Sequence, residues 1–136
     1  MTGQTDRQTL IREMQPRLNP GEYVFCRIEP GVSLSDPELV GWFREQEGVT
    51  AIMPRTRAEA AGLSYSFVAA WITLTVHSSL EAVGLTAAVS QALAQAGISC
   101  NIVAALHHDH LFVPLKDAAR ATQVLEGMSR AARSTP

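Results

Sequence analysis

The chain has 136 residues, 46% of them hydrophobic and 18% charged, with a mean hydropathy of +0.06. That is enough apolar material for a packed core and too little charge for a disordered chain, and the length suits one compact unit or two very small ones. Thirteen acidic against eleven basic residues give a formal charge of -2, so extensive nucleic-acid binding, which needs a basic surplus, is disfavoured.

Four stretches place a capping hydroxyl three residues before Glu or Gln, the signature of a helix start. The first, Thr5 to Gln8, predicts a helix whose stripe Leu10, Ile11 and Met14 ends before Pro16. Tyr23–Ile28 then reads as a strand. The second, Ser35 to Glu38, predicts a helix with Leu39, Val40, Trp42 and Phe43 on one face, ending near Gly48. Val49–Met53 is strand-like and closed by Pro54; the third signal, Thr56 to Glu59, opens a short helix stopped by Gly62.

Phe67 to Val76 predicts one long strand or two joined end to end, with Ile72, Leu74 and Val76 facing a core. The fourth signal, Ser78 to Glu81, leads to a helix from about Val83 to Ala96. Its stripe of Leu85, Val89 and Leu93 beside Ala88, Ala92 and Ala96 suits close packing on a sheet. Ile98–Leu106 and His110–Leu115 are strands joined by the polar turn His107-His108-Asp109, and a last helix runs from about Lys116 to Arg130.

From Trp71 onward the order is strand, helix, hairpin, helix, the split pattern of an α+β, ferredoxin-like βαββαβ unit with helices on one face of an antiparallel sheet. The first half has a similar rhythm, which suggests a degenerate tandem repeat over residues 1–68 and 69–136, with a leading helix in the first half. The tail Ala131–Pro136 is not strand-like, so the second half lacks its fourth strand, and a strand from the first half is the candidate to fill that place.

Ile72–Val76, then Glu81-Ala82-Val83-Gly84-Leu85-Thr86, then Ala96–Ile102 resemble an ACT domain over residues 71–128. The whole chain, including Asn19–Phe25 and His108–Pro114, is similar to short stand-alone bacterial proteins made of two ACT-like halves, which share a module type with the CASTOR arginine sensors. The resemblance implies a non-enzymatic regulatory module that binds a free amino acid, with no cofactor and no catalytic residues. It also implies a homodimer, with a separate effector protein as a further partner.

The segment 77–86 joins a strand end to a helix N-terminus, where unpaired N–H groups and the positive end of the helix dipole suit an α-carboxylate. The candidate ligand residues there are His77, Ser78, Ser79, Glu81, Val83, Gly84, Leu85 and Thr86. Gly84 gives close backbone approach, the hydroxyls add donors, and Glu81 accepts an ammonium. By the resemblance, Asn101 and Ile102 on the following strand are further contacts, and Glu47, Gly48 and Thr50 of the first half face the pocket across the repeat interface. The plain alternative is that Ser78 and Glu81 only cap a helix, Gly84 serves packing and Gly48 stops a helix.

Two other function classes stay open. His107, His108 and His110 offer imidazole ligands for zinc or nickel, although neighbours on one strand point to opposite faces. A structural interaction module is the third reading. Cys26 and Cys100 lie in apolar runs without a CxxC pair and read as buried thiols, not nucleophiles. No GxSxG, phosphate-loop or dinucleotide glycine pattern occurs. Phe112 is the one stacking platform on the central strands, which speaks against an RNA reader, and Trp42 and Trp71 read as core or interface anchors. The longest apolar run is far below the roughly 20 residues of a membrane span, and the polar N-terminus has no signal core, so the expectation is a cytoplasmic protein with no membrane partner.

Overall fold

Val24, Cys26 and Ile28 alternate with Phe25 and Arg27, and this period of two builds the strand Tyr23–Ile28 (β2) with its even-numbered side chains on the core. The computed structural model describes residues 6–29, 33–76 and 79–134. The chain divides into two units, one of residues 20–69 and the other of residues 1–19 with 70–136. Before β2 come a helix, Arg7–Glu13 (α1), and a short strand, Pro16–Leu18 (β1). After it come strands Gly41–Glu45 (β3) and Gly48–Pro54 (β4), then helix Arg55–Ala60 (α2) and strand Val68–Leu74 (β5). The chain continues through helix Leu85–Gln95 (α3), strands Asn101–Ala104 (β6) and Asp109–Pro114 (β7), a 3-10 turn Leu115–Asp117, and helix Ala118–Ser134 (α4).

In the unit of residues 20–69 the strand order is β3-β4-β2, with Val68 and Ala69 of β5 pairing Val24 and Tyr23. β4 pairs antiparallel with both neighbours, so Cys26 opposes Ala51 and Val24 opposes Met53 on one face. That face packs with Ala58 of α2, and Leu34, Leu39 and Leu63 close over it.

The helix expected over residues 35–48 does not form. Asp36 accepts the N–H of Glu38 at 2.9 Å and makes one isolated turn, and the Ser35 hydroxyl is paired with Ser33 instead of capping. Val40, Trp42 and Phe43 are better strand than helix formers. Trp42 pairs with Ala51 and Phe43 with Thr50, and Gln46-Glu47 form a two-residue hairpin turn. The backbone of Gly48 at φ +144 excludes a helical continuation there. This unit is therefore a βαββαβ pattern without a helix among the described residues between β2 and β3.

In the other unit the order is β1-β5-β7-β6, and β1 runs antiparallel to β5 with Leu18 opposite Ile72 and Pro16 opposite Leu74. The missing fourth strand of the second half is thus supplied by β1, from the first half as expected. The leading helix α1 packs in this same unit: Leu10, Ile11 and Met14 join Ile72, Leu74, Val89, Leu93, Leu111 and Leu125 in one core. Fully burying a side chain such as Leu10 stabilises by about 1.5–3 kcal/mol, which anchors a helix of only seven residues. Its cap is Asp6, not Thr5, which lies outside the described residues; Asp6 accepts from Gln8 N and from the Thr9 hydroxyl.

Two further capping signals fail in the same way. α2 begins at Arg55 after Pro54 with no side-chain cap, and α3 begins after Gly84, three residues beyond Glu81. Among the described residues no helix is long and apolar enough to cross a membrane.

Candidate functional site

The sheet of the unit that holds residues 70–136 leads from β5 into a loop and then into α3. Residues Ser79 to Ala82 make a tight turn in which Ala82 N donates to Ser79 O at 3.0 Å and Glu81 N donates to Ser79 Oγ at 3.1 Å. Gly84 is the residue before the helix, at φ +100, a conformation that glycine adopts without steric cost. Among the described residues no side chain caps the helix. Ala88 N reaches Gly84 O at 2.9 Å, while among the described residues no acceptor meets the N–H groups of Leu85, Thr86 or Ala87. Open N–H groups with the helix dipole behind them attract an anion.

A second positive group lies on the same spot. The Arg7 side chain crosses Gly84 so closely that a Cβ there would stand 2.8 Å from Arg7 Cδ and 3.5 Å from Arg7 Nε. Among the described residues no acidic side chain is paired with Arg7. Around this corner Glu81 is exposed, and Val83 and Leu80 are exposed apolar side chains at 81% and 62%. Thr86 is exposed, Ser79 half-buried, and Leu85 is a core residue whose side chain is turned away from solvent. Arg7 had no signal in the sequence, because it stands on a different helix and more than half the chain separates it from Gly84.

The remaining candidates are placed elsewhere. His77 and Ser78 lie outside the described residues. Asn101 opens β6, exposed, its amide 3.4 Å from the carbonyl of Phe112, and Ile102 packs from β6 onto the helix-side core. In the other unit Glu47 is in the β3–β4 turn, Gly48 follows it, and the Thr50 hydroxyl donates to Glu45.

The three histidines do not gather as ligands. His110 Nδ1 is 3.0 Å from Trp71 Nε1 and 3.1 Å from Thr73 Oγ1. The His108 and His110 rings stand 6.5 Å apart, and His107 is exposed in the loop before them. Among the described residues no group of three or more His, Cys, Asp or Glu side chains is placed to hold a metal ion. Asp109 is buried and burial raises its carboxyl pKa, opposed by His108.

Both cysteines are free, and burial pushes each thiol away from the reactive thiolate, Cys100 up to about 11. Phe112 is buried at 1% exposure and stacked on Trp71, so it presents no platform to a base. Trp71 is half-buried, as an anchor should be, whereas Trp42 on the edge strand β3 is 44% exposed with Arg44 over its ring.

Family models described as ACT domain match residues 2–70 and residues 66–127. Among solved structures, a Vibrio cholerae protein of unknown function, described as a possible transport protein, is 44% identical with a TM-score of 0.79, over 90% of this chain and 94% of its own. The regulatory subunit of aspartate kinase from Thermus thermophilus is similar at 10% identity and a TM-score of 0.62, over 87% of this chain and 97% of its own. That from Thermus flavus is similar at 11% identity and 0.60, over 84% and 96%. These last two share the fold. No curated protein matches the sequence.

Proposed function

The chain belongs to the ACT domain family of small-molecule-binding regulatory modules, and from that premise we propose that it is a non-enzymatic sensor of a free amino acid, bound at the corner formed by Ser79–Thr86 and Arg7. The observation that carries this reading is the convergence of two cationic features on Gly84: the uncapped N-terminus of α3 and the guanidinium side chain of Arg7. An α-carboxylate placed there takes charge-assisted hydrogen bonds from backbone and side chain together. Glu81, exposed beside it, accepts the α-ammonium or a cationic side chain, and Val83 and Leu80 offer apolar surface to the rest of the ligand.

Such a module works by linkage. A ligand that binds one conformational or assembly state more tightly shifts the population toward it, and a partner reads that state. The partner is a second copy of the chain or a separate effector protein.

Calorimetric titration of the metal-free protein with each of the twenty amino acids tests the proposal. Saturable binding of one of them, weakened about 10- to 150-fold in Arg7→Ala by the loss of a charged hydrogen bond worth about 1.5–3 kcal/mol, and weakened again in Glu81→Ala, is the expected result. Silence from all twenty at millimolar concentration overturns it.

A further inference from the structure

A βαββαβ unit covers one face of its sheet with two helices. Among the described residues the unit of residues 20–69 has only α2 for that face, and the segment 33–40 is irregular, with Leu34 and Leu39 packed against the core. Irregular chain fills space less well than a helix, and a cavity of about 230 Å³ is left beside α2. Ile28 at the end of β2, Met53 of β4, and Leu39 and Leu63 from the flanking segments give it apolar walls.

Its polar groups are Glu29, Ser33, Asp36 and Arg57, and the Ser33 hydroxyl is paired with that of Ser35 at 2.7 Å. Asp36 and Arg57 satisfy each other: Arg57 Nε donates to Asp36 Oδ2 at 2.7 Å, and Asp36 also takes the Glu38 N–H. Glu38 stands 3.4 Å from the same Arg57 nitrogen. Glu29 has only a loose 3.7 Å contact with Arg27, both side chains about two-thirds exposed. Asp36 and Glu38 thus share the Arg57 guanidinium while Glu29 has only the loose contact with Arg27, and three carboxylates against two guanidinium groups leave the rim with a net negative charge.

We propose that this cavity is a binding site for a small primary amine with a hydrocarbon body and no carboxylate, its ammonium at Glu29 and its body between Met53 and Leu63. The volume equals about eight water molecules at roughly 30 Å³ each, which suits a ligand of six to nine non-hydrogen atoms. An anionic head would add like charge to the rim, and an ammonium is the head group the excess carboxylate favours. This site lies wholly within residues 20–69 and does not rest on the amino-acid reading above.

The test uses the full chain with 13C-labelled methionine methyl groups, titrated with 2-phenylethylamine, 3-methylbutylamine and phenylacetate. The Met53 methyl resonance, identified with Met53→Leu, is expected to shift saturably with both amines, and phenylacetate to bind at least about tenfold more weakly, or about 1.4 kcal/mol. Ala61→Phe, at an exposed position on the cavity rim, is expected to abolish the shift, and Glu29→Gln, a surface change, to weaken the amines several-fold while leaving phenylacetate no weaker. The proposal is overturned if no amine moves Met53 at millimolar concentration, if phenylacetate binds as well as the amines, or if Ala61→Phe changes nothing. Arg7→Ala and Glu81→Ala leave amine binding unchanged, so this site and the amino-acid site fail separately.

Discussion

Trp71 Nε1 donates to His110 Nδ1 at 3.0 Å, from β5 to β7. A nitrogen that accepts an N–H carries no proton of its own, so His110 is neutral, with its hydrogen on Nε2. The Thr73 hydroxyl meets the same Nδ1 at 3.1 Å and therefore donates to it, while accepting from Asn19 Nδ2 at 2.9 Å. Arg17 Nη2 in turn donates to Asn19 Oδ1 at 3.1 Å. The direction of every bond in this row is fixed by Arg17, which can only donate, at one end and Trp71, which can only donate, at the other. It ties β1 and the residue after it to β5 and β7, and it explains how the polar side chains of Thr73 and Asn19 are both buried at 6% exposure.

Protonating His110 breaks this row. Burial lowers its pKa below the ordinary 6.5, and the neighbouring His108 lowers it further; the buried Asp109 is adjacent in sequence. Because the folded chain holds this proton less tightly than the unfolded one, the stabilisation is full above pH 6.5 and is lost as pH falls through the folded-state value. The urea midpoint of the wild type is expected to fall between pH 7 and pH 5 more steeply than that of His110→Gln. Nitrogen chemical shifts of the imidazole at pH 7.5 should show an unprotonated Nδ1; a protonated Nδ1 would contradict the tautomer.

Thr73→Val keeps the side-chain shape and removes the hydroxyl, leaving the buried Asn19 Nδ2 with the Trp71 carbonyl, 3.2 Å away, for one N–H and nothing for the other. An orphaned buried polar group costs about 1–3 kcal/mol. Thr75→Val, at the exposed position two residues on, removes a hydroxyl that bonds Gln15 O in contact with solvent and should cost less. Urea unfolding of the two variants side by side gives the comparison, and equal losses would mean that the row contributes nothing beyond an exposed bond.

The N-terminal segment completes the core of the unit that holds residues 70–136. A fragment of residues 70–136 lacks β1 at the edge of β5 and exposes the surface covered by Leu10 and Met14, both 0% exposed in the whole chain. It is expected to be unfolded by far-ultraviolet circular dichroism and to gain structure when a peptide of residues 6–19 is added. In the intact chain Met14→Ala should cost about 2–5 kcal/mol, the usual range for a buried large-to-small change.

The strands Tyr23–Ile28 and Gly48–Pro54 were legible because each is a short, mostly apolar run rich in strand-forming residues with its ends marked by Gly or Pro. Residues 35–48 were not, since Leu39, Val40, Trp42 and Phe43 fit helical spacing as well as strand alternation, and only pairing with β4 decides between them. The source of the fourth strand was legible only to the half it comes from: a three-residue strand, Pro16–Leu18, has too little pattern to be seen. In the candidate site, Gly84 and Glu81 could be picked out as a local motif, but Arg7 could not, because its place depends on how α1 packs beside α3.

Cys100 provides a chemical check on burial. With its thiol pushed up to about 11, the thiolate fraction at pH 8 is about two orders of magnitude below that of an ordinary cysteine. Alkylation by iodoacetamide at pH 8 is expected to be at least that much slower for the folded chain than in urea. A fast-reacting thiol in the folded protein would show that Cys100 is more open than its half-buried position implies.

Gly84 makes the most discriminating single position. Its φ of +100 places any L side chain in the left-handed region, at a cost of about 1–2 kcal/mol. Asn tolerates that region better than Ala, so the expected order of stability in urea is wild type, then Gly84→Asn, then Gly84→Ala. The Cβ of alanine also stands 2.8 Å from Arg7 Cδ, and because that side chain is flexible the collision should be relieved by movement of Arg7 away from the N-terminus of α3. Backbone strain and collision separate in a double-mutant cycle with Arg7→Ala, which recovers only the part due to collision. If the two changes are strictly additive, Arg7 does not rest on Gly84, and the pairing of guanidinium and helix N-terminus on which the carboxylate site depends is lost with it.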